Sequence, residues 1–210
     1  MSLTLIIGDK TYSSWSLRAA LALELAGVPY DEQVIALNRP DTKARILQHS
    51  PTGKVPLLIS PQGAIWDSLA IAEYLAECYP DAALWPSDPA ARAMARSVCA
   101  EMHSGFVALR THLPMDLKRD QALAAIPPEA QADIQRICAL WRECRQRFAQ
   151  NGPFLFGTPT VADAFFAPVA SRLRSYQVAL PDEAAAYIEC IYQWPAFKRW
   201  YQAAQEEDLA

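Results

Sequence analysis

Residues 11–34 read TYSSWSLRAALALELAGVPYDEQV and follow directly on a short apolar run, LTLII, at residues 3–7. Leu3 to Ile7 reads as a buried strand. Ser14 to Ala26 reads as a helix, closed by Gly27 and stopped by Pro29, the usual chemistry of a helix end. Asp31 to Leu37, with Val34 and Ile35 at its centre, predicts a second strand. Strand, helix and strand in this order make a right-handed parallel β-α-β unit. What needs explaining is the turn itself, where three serines and a tryptophan stand in SSWS just before the helix.

Working outward, Thr42 to His49 predicts a short helix. VPLLIS and AIW flank PQG, which reads as a hairpin turn between antiparallel strands. Ser68 to Cys78 predicts a third helix with Leu69, Ile71, Ala72 and Leu75 on one side. The order is β-α-β-α-β-β-α. Then YPDAALWPSDP places three prolines in eleven residues and cannot continue a helix. Beyond it no segment reads as a strand. Ala90 to Leu113 is helical, IPPEA starts a helix to about Gln150, and GTPTVADAFFAPVASRL starts another. The remainder, through YQWPAFKRWYQAAQEE, is helix with one proline break. The chain therefore divides into an α/β domain over residues 1–79, a linker over 80–89 and an all-helical domain over 90–210.

Composition sets the limits. With 210 residues, 52% hydrophobic and 20% charged, the chain can bury a sizeable core in two small domains. A net charge of −4 gives no footprint for nucleic acid. No apolar run reaches the roughly 18 residues of a membrane span, and MSLTLIIGDK lacks the basic start of a secretory signal. Cytoplasmic residence is the expectation. Cys78, Cys99, Cys138, Cys144 and Cys190 form no Cys-x-x-Cys pair and stand far from His103 and His112 in sequence. They read as free buried thiols of a reducing compartment, with no metal site.

The serine turn lies at the carboxyl end of the first strand, where open α/β sheets bind ligands. It is also a helix N-terminus, whose free N–H groups and dipole favour negative charge. A hydroxyl of Ser13 or Ser14 can cap the helix or donate to a bound anion, and the stretch alone leaves both open. In GKVPLL, Pro56 precedes a strand. A cis Val55–Pro56 bond would turn the Val55 N–H and C=O toward an extended, peptide-like ligand. In WDSLAIAEYL, Asp67 and Ser68 start the third helix. That end can hold a carboxylate while Asp67 takes an ammonium group.

SSWSLRAALALELAGVPYDE, KVPLL and DSLAIAEYL, in this order and spacing, resemble the three glutathione-contacting blocks of the cytosolic glutathione transferases. TVADAFFAPV resembles that family's Thr/Ser-x-x-Asp capping box in its helical domain. The likeness covers nearly the whole chain. It implies a thioredoxin-like first domain, an all-helical second domain, glutathione as co-substrate and a homodimer. Thioredoxins carry Cys-x-x-Cys at this turn; here the equivalent spacing is Ser13-x-x-Ser16, so the ligand must bring the thiol. The zeta branch has Ser-Ser-Cys at the turn and aims its first serine at the sulfur. Carried over, Ser13 is the thiol activator, Tyr12 its rival, and Ser14 and Trp15 offer backbone contacts at the helix start. Where zeta members have cysteine, this chain has Trp15, whose ring reads as packing. Lys54, Val55 and Pro56 meet the glutathione backbone, and Asp67 and Ser68 its γ-glutamyl end.

The first long helix of the second domain is expected to supply the small electrophile's site. Met102, Phe106 and Leu109 read as core, while His103 and Arg110 face either the cleft or open surface. Arg110 is the better suited of the two to receive an anionic substrate. Thr160 and Asp163 read as folding machinery. Three functions share this framework: conjugation of glutathione to electrophiles, glutathione-dependent cis–trans isomerisation, and a non-catalytic binding module.

Overall fold

The computed structural model describes residues 3–150 and 152–208. Strand β1 (Leu3–Gly8) leads into α1 (Ser14–Ala26), which ends because Gly27 takes φ 66° and returns its N–H to the carbonyls of Leu23 and Glu24. The chain comes back as β2 (Tyr30–Ile35), parallel to β1 with Leu3 opposite Tyr30. After α2 (Thr42–Leu47), β3 (Leu57–Ser60) pairs antiparallel with β1, and β4 (Gly63–Trp66) with β3. The sheet order is β2-β1-β3-β4, and α3 (Ser68–Cys78) closes the unit. Alternation along β1 divides its two faces. Leu3, Leu5 and Ile7 join α1 and α3 in the main core, whereas Ile6 meets Ile35, Ile46 and Leu57 under α2.

The second strand departs from expectation. It stops at Ile35 because the Leu37 N–H donates to the Asp9 carboxylate at 2.9 Å instead of to the sheet. Val34, expected at its centre, is exposed, since β2 is an edge strand. α2 ends at Leu47, where Gln48 and His49 close tighter turns onto Arg45 and Ile46. Gly63, expected within the hairpin turn, opens β4 opposite Ser60.

Residues 80–82 form a 3₁₀ turn, and helices follow: α4 (Pro89–Ser104), α5 (Val107–His112), α6 (Pro128–Phe148), α7 (Val161–Ser175), α8 (Asp182–Gln193) and α9 (Pro195–Glu206). The single helix expected over 90–113 is broken at Gly105 and Phe106, the latter at φ 56°. Arg110 holds the break. Its guanidinium donates to the carbonyls of Gly105, at 3.0 Å, and of Met102 and His103, which the end of α4 leaves without helical partners. Between α6 and α7 isolated bridges form, Phe154 with Gly157 and Phe156 with Thr158.

α7 is buried almost throughout, and α1 packs along it, so one core runs from β1 through Phe165 to Trp141. Its start is a reciprocal capping box. The Thr160 hydroxyl accepts from the Ala162 N–H at 3.2 Å, and the Asp163 carboxylate accepts from the Thr160 N–H at 2.8 Å. Asp163 also accepts from the Leu155 N–H and the Tyr187 hydroxyl, at 3.1 and 2.9 Å, which ties α7 to α8 and the preceding loop. All five cysteines are free. Cys99, Cys138 and Cys144 are buried as expected, but Cys190 is half-buried and Cys78 is exposed at the end of α3.

Candidate functional site

The N-termini of α1 and α3 open onto one cleft of about 990 Å³. It is lined by Tyr12, Ser13, Ser14 and Trp15 from the first turn, Lys54, Val55 and Pro56 before β3, and Asp67 and Ser68 at α3. The helical domain supplies His103, Arg110 and Arg172 on the opposite wall. Every residue singled out for ligand contact in the sequence therefore lines the same cavity.

The first turn is fixed from several sides. The Asp9 carbonyl accepts from the Ser13 N–H at 2.9 Å. The Glu207 carboxylate, just beyond α9, accepts from the N–H groups of Lys10 and Thr11 at 2.8 and 3.0 Å and from the Thr11 hydroxyl at 2.9 Å. The Trp200 indole donates to the Lys10 carbonyl at 3.0 Å. The end of the helical domain thus clamps the loop that delivers the serines.

Ser13 is the N-cap of α1. Its hydroxyl accepts from the Ser16 N–H at 3.4 Å and donates to the Ser16 hydroxyl at 2.7 Å, and the Ser16 oxygen also accepts from the Gly8 N–H. The two serines that occupy the Cys-x-x-Cys spacing are thus in direct contact. Capping and activation are compatible here. If the Ser16 hydroxyl donates to Ser13 instead, the oxygens need not move and the Ser13 proton becomes free for an anion in the cleft. Ser14 lines the cleft and makes no side-chain hydrogen bond among the described residues. Tyr12 is exposed at the rim.

Across the cleft the Val55–Pro56 bond is cis, and among the described residues the Val55 N–H and C=O enter no turn or side-chain hydrogen bond. Asp67 takes φ 77° and caps α3 by accepting from the Leu69 N–H at 2.8 Å. Its other oxygen lies 3.2 Å from the His103 Nε2, and its side chain is 45% exposed, so the charge there is a half-exposed one. The Ser68 hydroxyl is buried without a partner among the described residues, at the N-terminus of a helix that faces the cleft.

His103 and Arg110 both face the cleft, and their alternative placement on open surface does not hold. Trp15 is not plain core. Its ring has the Arg110 and Arg18 guanidinium carbons at 4.8 and 4.5 Å and the His103 ring edge-on at 5.1 Å. Desolvation, and then the Arg18 and Arg110 charges, hold the His103 pKa below its usual value against the opposing pull of Asp67. Burial lowers Arg172 to about 10, and it donates to the Leu113 carbonyl at 2.7 Å. Arg18 and Arg172 escaped the sequence reading. Their signal was an arginine at a buried position of helices that are buried along most of their length.

A serine helix cap, a backbone held open beside a proline and an acidic turn surround a pocket whose other wall is a helical domain. Together they define a protein in which an α/β unit and a helical unit share one polar ligand cleft. The chain belongs to the glutathione S-transferase family: the family's N-terminal domain profile matches residues 12–78 and its C-terminal domain profile residues 120–203. It is 28% identical over 215 residues to maleylpyruvate isomerase from Ralstonia sp, covering 94% of this chain and 99% of the relative. Maleylacetoacetate isomerase from Pseudomonas aeruginosa is 28% identical over 216 residues, covering 94% and 96%. A solved structure described as the holo form of maleyl pyruvate isomerase, a bacterial glutathione S-transferase of the zeta class, superposes with a TM-score of 0.75 at 26% identity, over 98% of this chain and 99% of the other. Among the described residues no cluster of His, Cys, Asp or Glu could hold a metal ion, and no helix is long and apolar enough to cross a membrane.

Proposed function

We propose that the cleft binds glutathione in extended form, ionises its thiol at the α1 turn and directs the thiolate at a small electrophile held by the helical domain. In this reading the γ-glutamyl carboxylate sits on the α3 N-terminus at Ser68, with Asp67 toward the ammonium group. Val55 pairs with the cysteinyl backbone, and the sulfur lies at Ser13 with Ser14 beside it. The observation that carries the reading is the convergence of the α1 and α3 N-termini and the free Val55 backbone on one cavity. The electrophile's wall carries Arg110 and Arg172, whose positive charge favours an anionic substrate over a neutral one.

The same two arginines favour a second reading, cis–trans isomerisation of a maleyl-type carboxylate, in which the thiolate adds to a double bond and leaves again. The names of the full-length relatives agree with it. A panel of neutral electrophiles, anionic electrophiles and maleyl compounds, assayed with and without glutathione, separates the two. Net consumption of glutathione supports transfer, and turnover without consumption supports isomerisation. Inactivity across the panel, with glutathione bound, favours a binding module instead. The five free thiols are consistent with work in a reducing cytoplasm. A homodimer is proposed on family likeness, and sedimentation tests it.

A further inference from the structure

Arg18 stands in the wrong place for a structural arginine. It is 1% exposed, and its Nε and Nη1 have no hydrogen-bond partner among the described residues. Its guanidinium lies against the rings of Trp15 and Phe165, with the central carbon 4.5 and 5.0 Å from their centroids. Ring faces offset only part of what a buried cation loses on leaving water. The position makes matters worse. Arg18 is in the second turn of α1, and its contact with Trp15 shows the side chain reaching back toward the helix start. The helix dipole is positive at that end, so cations are favoured at the opposite terminus.

The charged neighbours do not resolve the cost. Arg110 on α5 and Arg172 on α7 repel Arg18, the neutral Cys99 and His103 face it from α4, and the Asp67 carboxylate is the weakest of its electrostatic partners. Burial and these repulsions bring its pKa down to about 9, so it keeps its charge at neutral pH. A retained, desolvated, unpaired cation beneath a helix N-terminus lacks an anion. The cleft supplies the place for one, since Ser14, one turn before Arg18, lines it.

We propose that Arg18 is a positioning residue for the thiolate, a buried positive charge that lowers the pKa of the bound glutathione sulfur from beneath the α1 turn. The inference rests on the reading of the cleft as a glutathione site. Arg18 acts through space, from behind the Trp15 ring that lines the cleft. Its field adds to that of the turn's N–H groups, while the Ser13 hydroxyl supplies the direct hydrogen bond. The thiol's proton leaves to solvent.

The test is ultraviolet titration of the thiolate in the enzyme–glutathione complex for wild type, Arg18→Gln, Arg18→Met and Arg18→Lys. Thermal unfolding checks each fold, and calorimetry well below the thiol pKa checks binding. Removing a buried, unpaired charge is compatible with folding, and two uncharged variants guard against the failure of one. The Gln and Met variants should bind glutathione within a fewfold of wild type but titrate about one to two units higher. Lysine should restore most of that shift. A folded uncharged variant that binds glutathione and titrates like wild type overturns the role of Arg18 alone. Failure of the wild type to bind glutathione removes the site reading, and the role of Arg18 with it.

Discussion

At the residue scale the first turn joins structure to chemistry. Ser13 caps α1, contacts Ser16 and faces the cleft, so its hydroxyl can serve fold and thiolate together. Ser13→Ala should slow the chemical step at neutral pH by about ten- to a hundredfold, equivalent to about 1.5–3 kcal/mol in the barrier. Glutathione affinity should change little, and part of the rate should return at high pH, where the thiol ionises unaided. Ser14→Ala is the direct comparison, and rates at two pH values distinguish the two serines. Asp67→Ala should weaken glutathione binding by about 1–2 kcal/mol in calorimetry, the modest size reflecting a half-exposed carboxylate. Residue type and position at this turn gave a hydroxyl at a helix start after a strand, and the choice of Ser13 came from the likeness to the zeta branch. Arg18, Arg172 and the Ser13–Ser16 contact were not legible in the same way. They depend on which helix faces lie against the second domain, and a one-dimensional pattern does not say which neighbour a buried charge will find.

At the element scale, local chemistry decided most boundaries and tertiary contacts decided the rest. Gly27 ends α1 and the capping box starts α7 where sequence placed them. β2 is shorter than its apolar pattern because Asp9, distant in sequence, takes the Leu37 N–H. The break between α4 and α5 was hidden because nothing local forces Phe106 to a positive φ; the Arg110 contacts stabilise it from outside. The capping box carries two predictions. Asp163→Ala should cost about 1–3 kcal/mol in urea unfolding, since it strands buried donors of Thr160, Leu155 and Tyr187. Burial, outweighing those same bonds, raises the Asp163 carboxyl from 3.8 to about 6. A carboxyl raised in the folded state favours folding most below pH 3.8, and this contribution is lost as pH rises through about 6. Between those values Asp163→Asn should therefore flatten the fall in stability with pH, and urea midpoints measured across that range check the sign.

At the scale of the whole molecule, two domains make one site. The sheet domain presents two helix N-termini, and the helical domain closes the cleft with His103, Arg110 and Arg172 while Glu207 clamps the loop beneath. Glu207→Ala should loosen the Lys10–Thr11 loop and lower kcat more than it lowers the unfolding midpoint, because the clamp lies just beyond α9, outside the core. Steady-state kinetics alongside thermal unfolding separates the two effects. The order of elements and the two-domain layout were legible from alternation, turns and the proline-rich linker. The electrophile was not, since its wall is assembled from α4, α5 and α7, whose relative placement the sequence does not encode locally. Everything proposed for the cleft converges on the state of the bound sulfur. The most direct measurement is therefore the ultraviolet titration of glutathione bound to the wild-type protein. The thiol should ionise about 2 units below its free value of about 8.5. Saturable binding with the thiol still titrating at its free value would contradict activation in this cleft.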